Sequence, residues 1–373
     1  MTNTINAKSL AKGVSTLKKA ITKKAFKVPA VGENHIIEVT TVDNEIVLAL
    51  YNGRESICVG VEGTLVNGFQ ITLNELIKLS TTLPKKGEAN IEICANEITI
   101  TCNGGSFAFP LHTEVVEDKN EPNVIWEPLG KCTIKDMPEL ITALANTKLA
   151  LEKDDNTRNY YGMGYIYLNE NTVAATDRHR IHTSPINAVF QGDLKVLNMP
   201  MEMISYVSMF AIDKPLEITV SRDSKGVTRY VAKQKCNQIC MTSHERPKIE
   251  RESIMKVLDR SSHKKYATYL VDEAESRLKT LCPLAKANDG VNHAVHLVKE
   301  GSTIYACMKE HKVEIATCND EVELDTIINC KFLFEGIKGM DNPTTMFMEI
   351  AGHVTLEGGL HKNLICRILP GKS

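Results

Sequence analysis

The stretch Leu73-Asn-Glu-Leu-Ile-Lys-Leu-Ser-Thr-Thr-Leu83, which ends at Pro84, carries the pattern that decides the fold. Its apolar residues recur every three or four positions, which predicts an amphipathic helix, and proline cannot continue the helical hydrogen-bond ladder. Apolar and polar residues then alternate at 90–94, 97–102 and 106–111. This alternation predicts short strands joined by polar turns, so the segment is a helix followed by a small antiparallel sheet.

The same order of helix, proline and strands occurs three times. The helix-ending prolines lie at positions 84, 215 and 343, so they are 131 and 128 residues apart. Helices of the second and third copies are predicted at 201–212 and 331–340, and an earlier amphipathic helix precedes each copy at 8–20, 137–151 and 272–287. Solenoid units are much shorter, roughly 20–50 residues, so each copy here is long enough to bury its own core. The sequence predicts an α+β protein with domains at 1–125, 126–246 and 247–373.

Composition narrows the class of protein. No apolar run is long enough to span a membrane, and the N-terminus lacks the basic-then-apolar order of a secretory signal, so we expect a cytoplasmic protein without membrane contact. Eleven cysteines are scattered without a CxxC pair, and no GxxxxGK[ST] phosphate loop is present. We therefore expect reduced, packed thiols and no cofactor.

The charge of the chain is distributed unevenly. The net charge is -2, yet residues 1–30 contain seven lysines and no acidic residue. A basic segment on an acidic molecule indicates local attraction to phosphate groups. A solvated helix face with lysines for solubility explains the same pattern, and both interpretations stay open at this point.

Two short motifs add to the repeat. The middle copy contains Ala175-Thr176-Asp177-Arg178-His179-Arg180-Ile181, and the chain ends in Ile368-Leu369-Pro370 with three residues after it. With the order of helices and strands over the whole chain, these motifs resemble the beta subunit of bacterial DNA polymerase III, the sliding clamp. The family has Ala-Thr-Asp, a small residue, His-Arg and an aliphatic residue at the first place, and an apolar pair before proline at the second.

The resemblance implies a non-catalytic processivity factor. Its fold would be three tandem DNA-clamp domains, paired head to tail in a homodimeric ring with helices around the hole and sheets outside. The dimer contacts would lie near the strand at 106–111 and the helix at 272–287. Such a ring encircles double-stranded DNA of any sequence in the cytoplasm, at the nucleoid. The residues expected to contact DNA are Lys12, Lys19, Lys23, Lys24, Arg158 and Tyr160.

The resemblance also implies a cleft that binds short peptides of partner proteins. These partners would be the polymerase catalytic subunit, the clamp loader and possible mismatch-repair and ligase proteins. Position by position, the lining would comprise Thr176, Arg178, His179, Arg180, Ile181, Pro247, Arg251, Ala351, His353, Ile368, Leu369 and Pro370.

Some positions depart from the family pattern. Arg178 stands where the family prefers glycine or serine, and His353 where it has a small residue, so peptide preference is expected to differ. The helix at 201–212 has no basic residue. These departures indicate a divergent member from a phage, a plasmid or a second chromosomal copy. Two alternatives remain: a clamp-fold scaffold that does not bind DNA, and a metal-dependent enzyme using Asp177, His179 and His182 as D-x-H-x-x-H.

Overall fold

The computed structural model describes most of the chain. The described residues are 3–22, 35–51, 55–85, 87–94, 96–102, 104–112, 124–151, 164–243, 250–260, 265–289, 293–321, 323–340, 345–349, 353–358 and 360–368. The chain forms two compact units. Unit one comprises Met1–Met137, Phe190–Leu194 and Glu202–His244, and unit two comprises Pro138–Val189, Lys195–Met201 and Glu245–Ser373.

The elements follow one another in three similar series. The first series is β1 Asn3–Asn6, α1 Ala7–Thr22, β2 Ile36–Val42, β3 Glu45–Tyr51, β4 Ser56–Val61, β5 Gly63–Thr64, β6 Phe69–Thr72, α2 Leu73–Thr82, β7 Glu88–Ile93, β8 Glu97–Cys102 and β9 Gly105–Pro110. The second is β10 Glu127–Ile134, α3 Met137–Thr147, β11 Tyr165–Leu168, β12 Thr172–Thr176, β13 Arg180–Pro185, β14 Ala188–Gly192, β15 Leu197–Pro200, α4 Met201–Ile204, β16 Leu216–Arg222, β17 Thr228–Gln234 and β18 Asn237–Ser243. The third is α5 Arg251–Arg260, β19 Lys265–Leu270, α6 Ala274–Asp289, β20 Ala294–Glu300, β21 Thr303–Met308, β22 His311–Thr317, β23 Asp325–Asn329, α7 Cys330–Lys338, β24 Thr345–Glu349, β25 Val354–Gly358 and β26 His361–Ile365.

Unit one is built on a five-stranded and a nine-stranded sheet. Their strand orders are β5-β1-β7-β8-β9 and β14-β10-β16-β17-β18-β4-β3-β2-β6. Helix α1 packs against α2 and β4, and its Leu10, Val14 and Leu17 are buried. These three residues recur at the spacing of one helix face, so their burial accounts for the position of α1 over the sheet.

Unit two is built on a twelve-stranded sheet in the order β15-β11-β12-β13-β26-β25-β24-β19-β22-β21-β20-β23. Helices α6 and α7 pack on each other and on this sheet through a core that includes Leu278, Leu281, Leu333 and Ile337. A smaller core lies under α5, whose Ile254 and Leu258 pack near β11 and β13.

Strand order shows the threefold repeat that the sequence predicted. Each series supplies one four-stranded group, β1-β7-β8-β9, β10-β16-β17-β18 or β19-β24-β25-β26. Each also supplies a second group, β6-β2-β3-β4, β15-β11-β12-β13 or β23-β20-β21-β22. The α+β class is confirmed, and the domain boundaries at 1–125, 126–246 and 247–373 stay a prediction.

The predicted helix at 201–212 is wrong in length. Helix α4 ends at Ile204, and only a short 3-10 turn follows at Val207–Met209. The intervening Ser205 and Tyr206 favour a helix less than alanine or leucine does, because serine competes for backbone hydrogen bonds and tyrosine loses rotamer freedom. Helix α5 was not predicted at all. Among the described residues, no helix is both long and apolar enough to cross a membrane.

A buried amide network ties α3 to the strands and to α7. Asn146 Nδ2 donates to Ser184 Oγ at 2.8 Å and to the Thr183 carbonyl at 3.2 Å. Asn363 Nδ2 donates to Asn146 Oδ1 at 3.2 Å and to the Gly336 carbonyl at 3.0 Å. Since a buried amide must be satisfied, these bonds fix the register of β13 beside β26 as well as the place of α3.

His182 belongs to the same buried region. Its Nδ1 lies 3.1 Å from the Asn146 carbonyl, to which the protonated nitrogen donates. Its Nε2 has no hydrogen-bond partner among the described residues. Burial, together with the charge of the neighbouring Arg180, lowers the pKa of His182 to about 3. The folded protein therefore holds a neutral imidazole, whereas the unfolded chain titrates near the ordinary value of about 6.5.

We predict that His182 makes the fold acid-sensitive. Because the folded pKa is lowered, the unfolded state binds more protons below about pH 6.5, and stability falls as pH falls toward the folded pKa. Between pH 6 and pH 4 the wild type should lose about 1.4 kcal/mol per pH unit more than His182→Asn. Asparagine keeps a donor for the Asn146 carbonyl and does not titrate. Urea unfolding at several pH values measures the difference, and parallel pH dependences would contradict the assignment.

Candidate functional site

The heptapeptide forms a tight turn between β12 and β13. Thr176 Oγ1 accepts from the Arg178 backbone N–H at 3.1 Å and donates to the Arg180 carbonyl at 2.8 Å. Asp177 Oδ1 accepts from the backbone N–H groups of His179 and Arg180 at 3.1 and 3.0 Å. Arg178, at the tip, has a φ of 74°, a left-handed conformation that favours glycine. The glycine preferred there by the family pattern therefore has a backbone reason, and Arg178 adopts the same conformation with a long cationic side chain.

Arg180 connects this turn to α7. Its Nε donates to Asp177 Oδ2 at 2.9 Å, and its Nη1 donates to Glu335 of α7. The guanidinium carbon lies 4.1 Å from the centroid of the Phe332 ring. The Arg180 side chain is only 4% exposed, so its donors serve these internal partners. Burial favours a positioning role for Arg180 over direct contact with a peptide.

Several other predicted cleft residues lie near the same end of β13 and β26. The His179 ring is stacked on Phe332 with centroids 6.4 Å apart, and its carbonyl accepts from the Cys366 N–H at 2.8 Å. His353 Nδ1 accepts from the Arg367 N–H at 3.2 Å. These contacts bring His179, His353 and the strand end before Ile368 together, with both histidines at least partly exposed.

A separate apolar cluster lies along β13 on the side where α5 packs. Ile181 is buried in a cluster with Tyr165, Tyr167 and Leu364, on which α5 packs. Arg251 begins α5 and is partly exposed, and burial lowers the pKa of its guanidinium. Its Nε has no hydrogen-bond partner among the described residues. An apolar cluster and exposed basic side chains near the same end of β13 together suit recognition of an extended segment with apolar anchors.

The predicted DNA contacts fall partly within the described residues. Lys12 and Lys19 are exposed on α1 and lie on the face opposite Leu10 and Leu17. Lys8 is exposed on that same face, so α1 presents a row of lysines to solvent. The other four predicted DNA contacts lie outside the described residues: Lys23, Lys24, Arg158 and Tyr160. Four of the predicted cleft residues also lie outside them: Pro247, Ala351, Leu369 and Pro370.

The metal alternative finds no support in this geometry. His182 is fully buried against Asn146, His179 is exposed and stacked on Phe332, and Asp177 is engaged by Arg180. Within the described ranges, no group of three histidine, cysteine or acidic side chains could hold a metal ion.

Phe332 and Glu335 were not predicted from the sequence. Both lie on α7, where they contact His179 and Arg180 from more than 150 positions away in the chain. One local signal exists, because Asn329 Oδ1 accepts from the Phe332 N–H at 3.1 Å and so caps the helix. The cap predicts where α7 begins, but nothing local predicts what its side chains contact.

We predict that the Arg180 ion pairs hold the turn in place. Arg180→Met leaves the carboxylates of Asp177 and Glu335 partly buried without their shared cation, which should lower the free energy of unfolding by about 3–5 kcal/mol. The neighbouring Arg178→Met, a matched loss of one charge at an exposed site, should change it by less than about 0.5 kcal/mol. Urea unfolding compares them, and equal losses in the two variants would contradict a structural role for Arg180.

Comparison with known proteins gives the fold of the whole chain. No family model matches the sequence, and no curated protein matches it. The DNA polymerase III subunit beta from Pseudomonas aeruginosa is similar with a TM-score of 0.75 and 14% identity, covering 99% of this chain and 100% of that one. The Helicobacter pylori beta clamp bound to a DNA ligase peptide gives 0.73 and 13%, with 99% and 100% covered. A putative beta subunit from Eubacterium rectale gives 0.70 and 16%, with 99% of each chain covered. At these identities the likeness is one of structure, and the chain has the fold of the DNA polymerase III beta sliding clamps.

Proposed function

We propose that this chain is a DNA sliding clamp, a non-catalytic ring of two copies that encloses duplex DNA and tethers replication proteins to it. The observation that carries the proposal is a pair of sheet edges, β9 and the first half of β22, that have no further strand partner among the described residues. A clamp-fold scaffold that stays monomeric is the second candidate, and it makes the opposite prediction for these edges.

Two junctions within the chain show how the four-stranded groups join. In unit one, the first half of β4, residues 56–58, pairs with β18. In unit two, the first half of β13, residues 180–183, pairs with β26. Both junctions follow one rule. Strand β4 or β13 ends the second group of its series, and it pairs with β18 or β26, which ends the first group of the following series.

Two strands at the ends of groups are not used by these junctions: β22, which ends the second group of the third series, and β9, which ends the first group of the first series. The same rule would pair β22 of one copy with β9 of another. Strand β9 pairs with β8 and forms the edge of its sheet. Strand β22 pairs with β21, and its only other ladder contact among the described residues is at Ala316 and Thr317, with β19. Residues 311–313 therefore have one side without a strand partner in the part of the chain that the structure describes. A long unpaired edge invites another strand, and two such edges on one chain allow two copies to close head to tail.

The lysine row of α1 supports DNA as the enclosed partner. Lys12 and Lys19 are exposed on a chain whose net charge is -2, so attraction to phosphate is local. Contacts with backbone phosphates carry no sequence information, which suits a protein that moves along DNA. Lys23, Lys24, Arg158 and Tyr160 remain predicted contacts of the same kind, and the site of action is the nucleoid.

The exposed basic side chains at the β12–β13 turn and the apolar cluster along β13 support a peptide-binding cleft. One structural relative is a clamp bound to a DNA ligase peptide. We propose that the polymerase catalytic subunit, the clamp loader and repair or ligase proteins bind this chain through short apolar segments. Thr176, His179, Ile181 and Ile368 would line the cleft with the predicted Arg251, Pro247, Leu369 and Pro370, while Arg180 positions the turn. Arg178 makes the turn more cationic than the family pattern, which favours partners with acidic residues beside their apolar anchors.

We predict that β9 is a dimer interface. Phe107 is 40% exposed on this edge strand, so Phe107→Asp places a charge where a partner strand would cover it and should yield monomers. The matched control is Val189→Asp, since Val189 is 37% exposed on β14, an edge strand outside the junction rule. Analytical ultracentrifugation at about micromolar concentration should show dimers for the wild type and the control. A monomeric wild type would favour the scaffold.

We predict that retention on DNA is topological. Wild-type protein loaded onto nicked circular DNA should stay bound in high salt and be lost once the circle is linearised, because enclosure does not depend on ionic contacts. Gel filtration before and after cutting measures this. Lys12→Glu with Lys19→Glu should weaken salt-sensitive association with linear duplex while leaving dimerisation intact. Equal loss of the wild type from circular and linear DNA would contradict enclosure.

A further inference from the structure

Unit one contains a cavity of about 550 Å³ beside the first two turns of α1. Strands β3 and β4 form one wall, and the segment after α4 with the β17–β18 turn forms another. Its charged lining consists of four lysines and two glutamates: Lys8, Lys12, Lys214, Lys235, Glu45 and Glu62. The lining carries an excess of positive charge, although the chain as a whole is acidic.

Gln234 fixes the segment that carries Lys214. Its Oε1 accepts from the Ala211 N–H at 2.6 Å, and its Nε2 donates to the carbonyls of Ala211 and Lys214 at 2.9 and 2.8 Å. Gln234 is buried, so these bonds replace water contacts that its amide would otherwise need. The backbone of Lys214 is therefore held at the cavity wall before any ligand arrives.

Lys235 occupies the tight turn between β17 and β18. Gln234 pairs with Asn237 across the turn, and Lys235 has a φ of 51°. Glycine or asparagine is preferred at such a position, because a residue with a Cβ pays about 1 kcal/mol in the left-handed region. Asn237 Oδ1 accepts from the Gly60 N–H at 2.9 Å and so ties the turn to β4. The turn therefore holds the backbone of Lys235 at the cavity wall.

Two more lysines come from α1, which is fixed to the same wall. Asn6 Oδ1 accepts from the Ser9 N–H at 3.0 Å, and Ser9 Oγ accepts from the Glu62 N–H at 3.1 Å. Lys8 and Lys12 extend from this anchored part of the helix into the lining. Lys12 also belongs to the exposed row that continues to Lys19, so the cavity and the lysine row are continuous.

Lys214 and Lys235 line the same wall of the cavity. The nearby Lys235 lowers the pKa of Lys214, while Asp213 and Glu45 act in the opposite direction. Two ammonium groups at one wall repel each other, and an anion bound between them would remove the repulsion.

We propose that this lysine-lined cavity binds a backbone phosphate of duplex DNA. The inference rests on the proposed function, since it takes DNA as the source of the phosphate. Continuity with the lysine row of α1 favours a polymer with many phosphates over a single free anion, and lysine contacts to phosphate need no base sequence. Lys214 and Lys235 would thus supply basic side chains next to the segment 201–212, which has none.

The test compares two double variants of the full-length protein. Lys214→Gln with Lys235→Gln removes the cavity pair, and Lys195→Gln with Lys225→Gln removes the same charge from exposed positions outside the cavity lining. Fluorescence anisotropy with linear duplex DNA over a range of salt gives affinity and salt slope. We expect the cavity variant to lose about tenfold in affinity at low salt, with a slope about one unit smaller, because about one phosphate contact is lost. Identical curves for the two variants would overturn the proposal.

Two further arms separate the possible failures. Inorganic phosphate that stabilises the wild type in a thermal melt, with duplex affinity equal in both double variants, would mean a free-anion site and would overturn DNA as the source. A second outcome is that the wild type is not retained on circular DNA while only the cavity variant loses affinity for linear duplex. This outcome would overturn enclosure and support the phosphate site. Retention on circles with equal affinities of the two variants would support the clamp and overturn the site.

Discussion

Backbone hydrogen bonding between strand edges is the constraint on which the rest of the molecule depends. Each four-stranded group ends in a strand with unpaired N–H and C=O groups, and such groups are costly if they are buried without partners. The chain satisfies them at β4 with β18 and at β13 with β26, which merges separate groups into the nine-stranded and twelve-stranded sheets. The merging explains why the compact units do not follow the threefold repeat, since the middle series contributes one group to each unit.

In unit two, polar side chains connect the β13–β26 junction to helix α7. The Asn146–Asn363 amide pair and the Arg180 ion pairs lie at different positions along the β13–β26 ladder, and both reach α7. An apolar core would tolerate small shifts of α7, whereas these bonds have preferred directions. The turn that carries Arg178 and His179 is therefore fixed against α7 by Arg180, and its exposed residues can diverge without loss of the backbone shape.

The sequence predicted what depends on local pattern. Apolar periodicity gave α1, α2, α3, α6 and α7 to within a few residues, and alternation gave most strands, because both follow from burial of one face. The prediction failed at 201–212, where apolar residues are buried by a turn and a loop held by Gln234 rather than by a helix. In the candidate site, the heptapeptide was visible, but its contacts with Phe332 and Glu335 were not, since they join positions distant in the chain. For the same reason, the sequence did not predict that Lys12, Lys214 and Lys235 line one cavity.

The open edge at β9 has a consequence for how substitutions act. In a ring closed by two copies, every chain contributes the same strand to a junction, so a change in one codon alters both junctions together. A substitution that weakens one junction by about 1.4 kcal/mol weakens that contact tenfold, yet full separation of the ring becomes roughly a hundredfold easier. Opening a single junction becomes only tenfold easier. Variation along β9 therefore changes the lifetime of the assembled pair far more than the ease with which one gap opens.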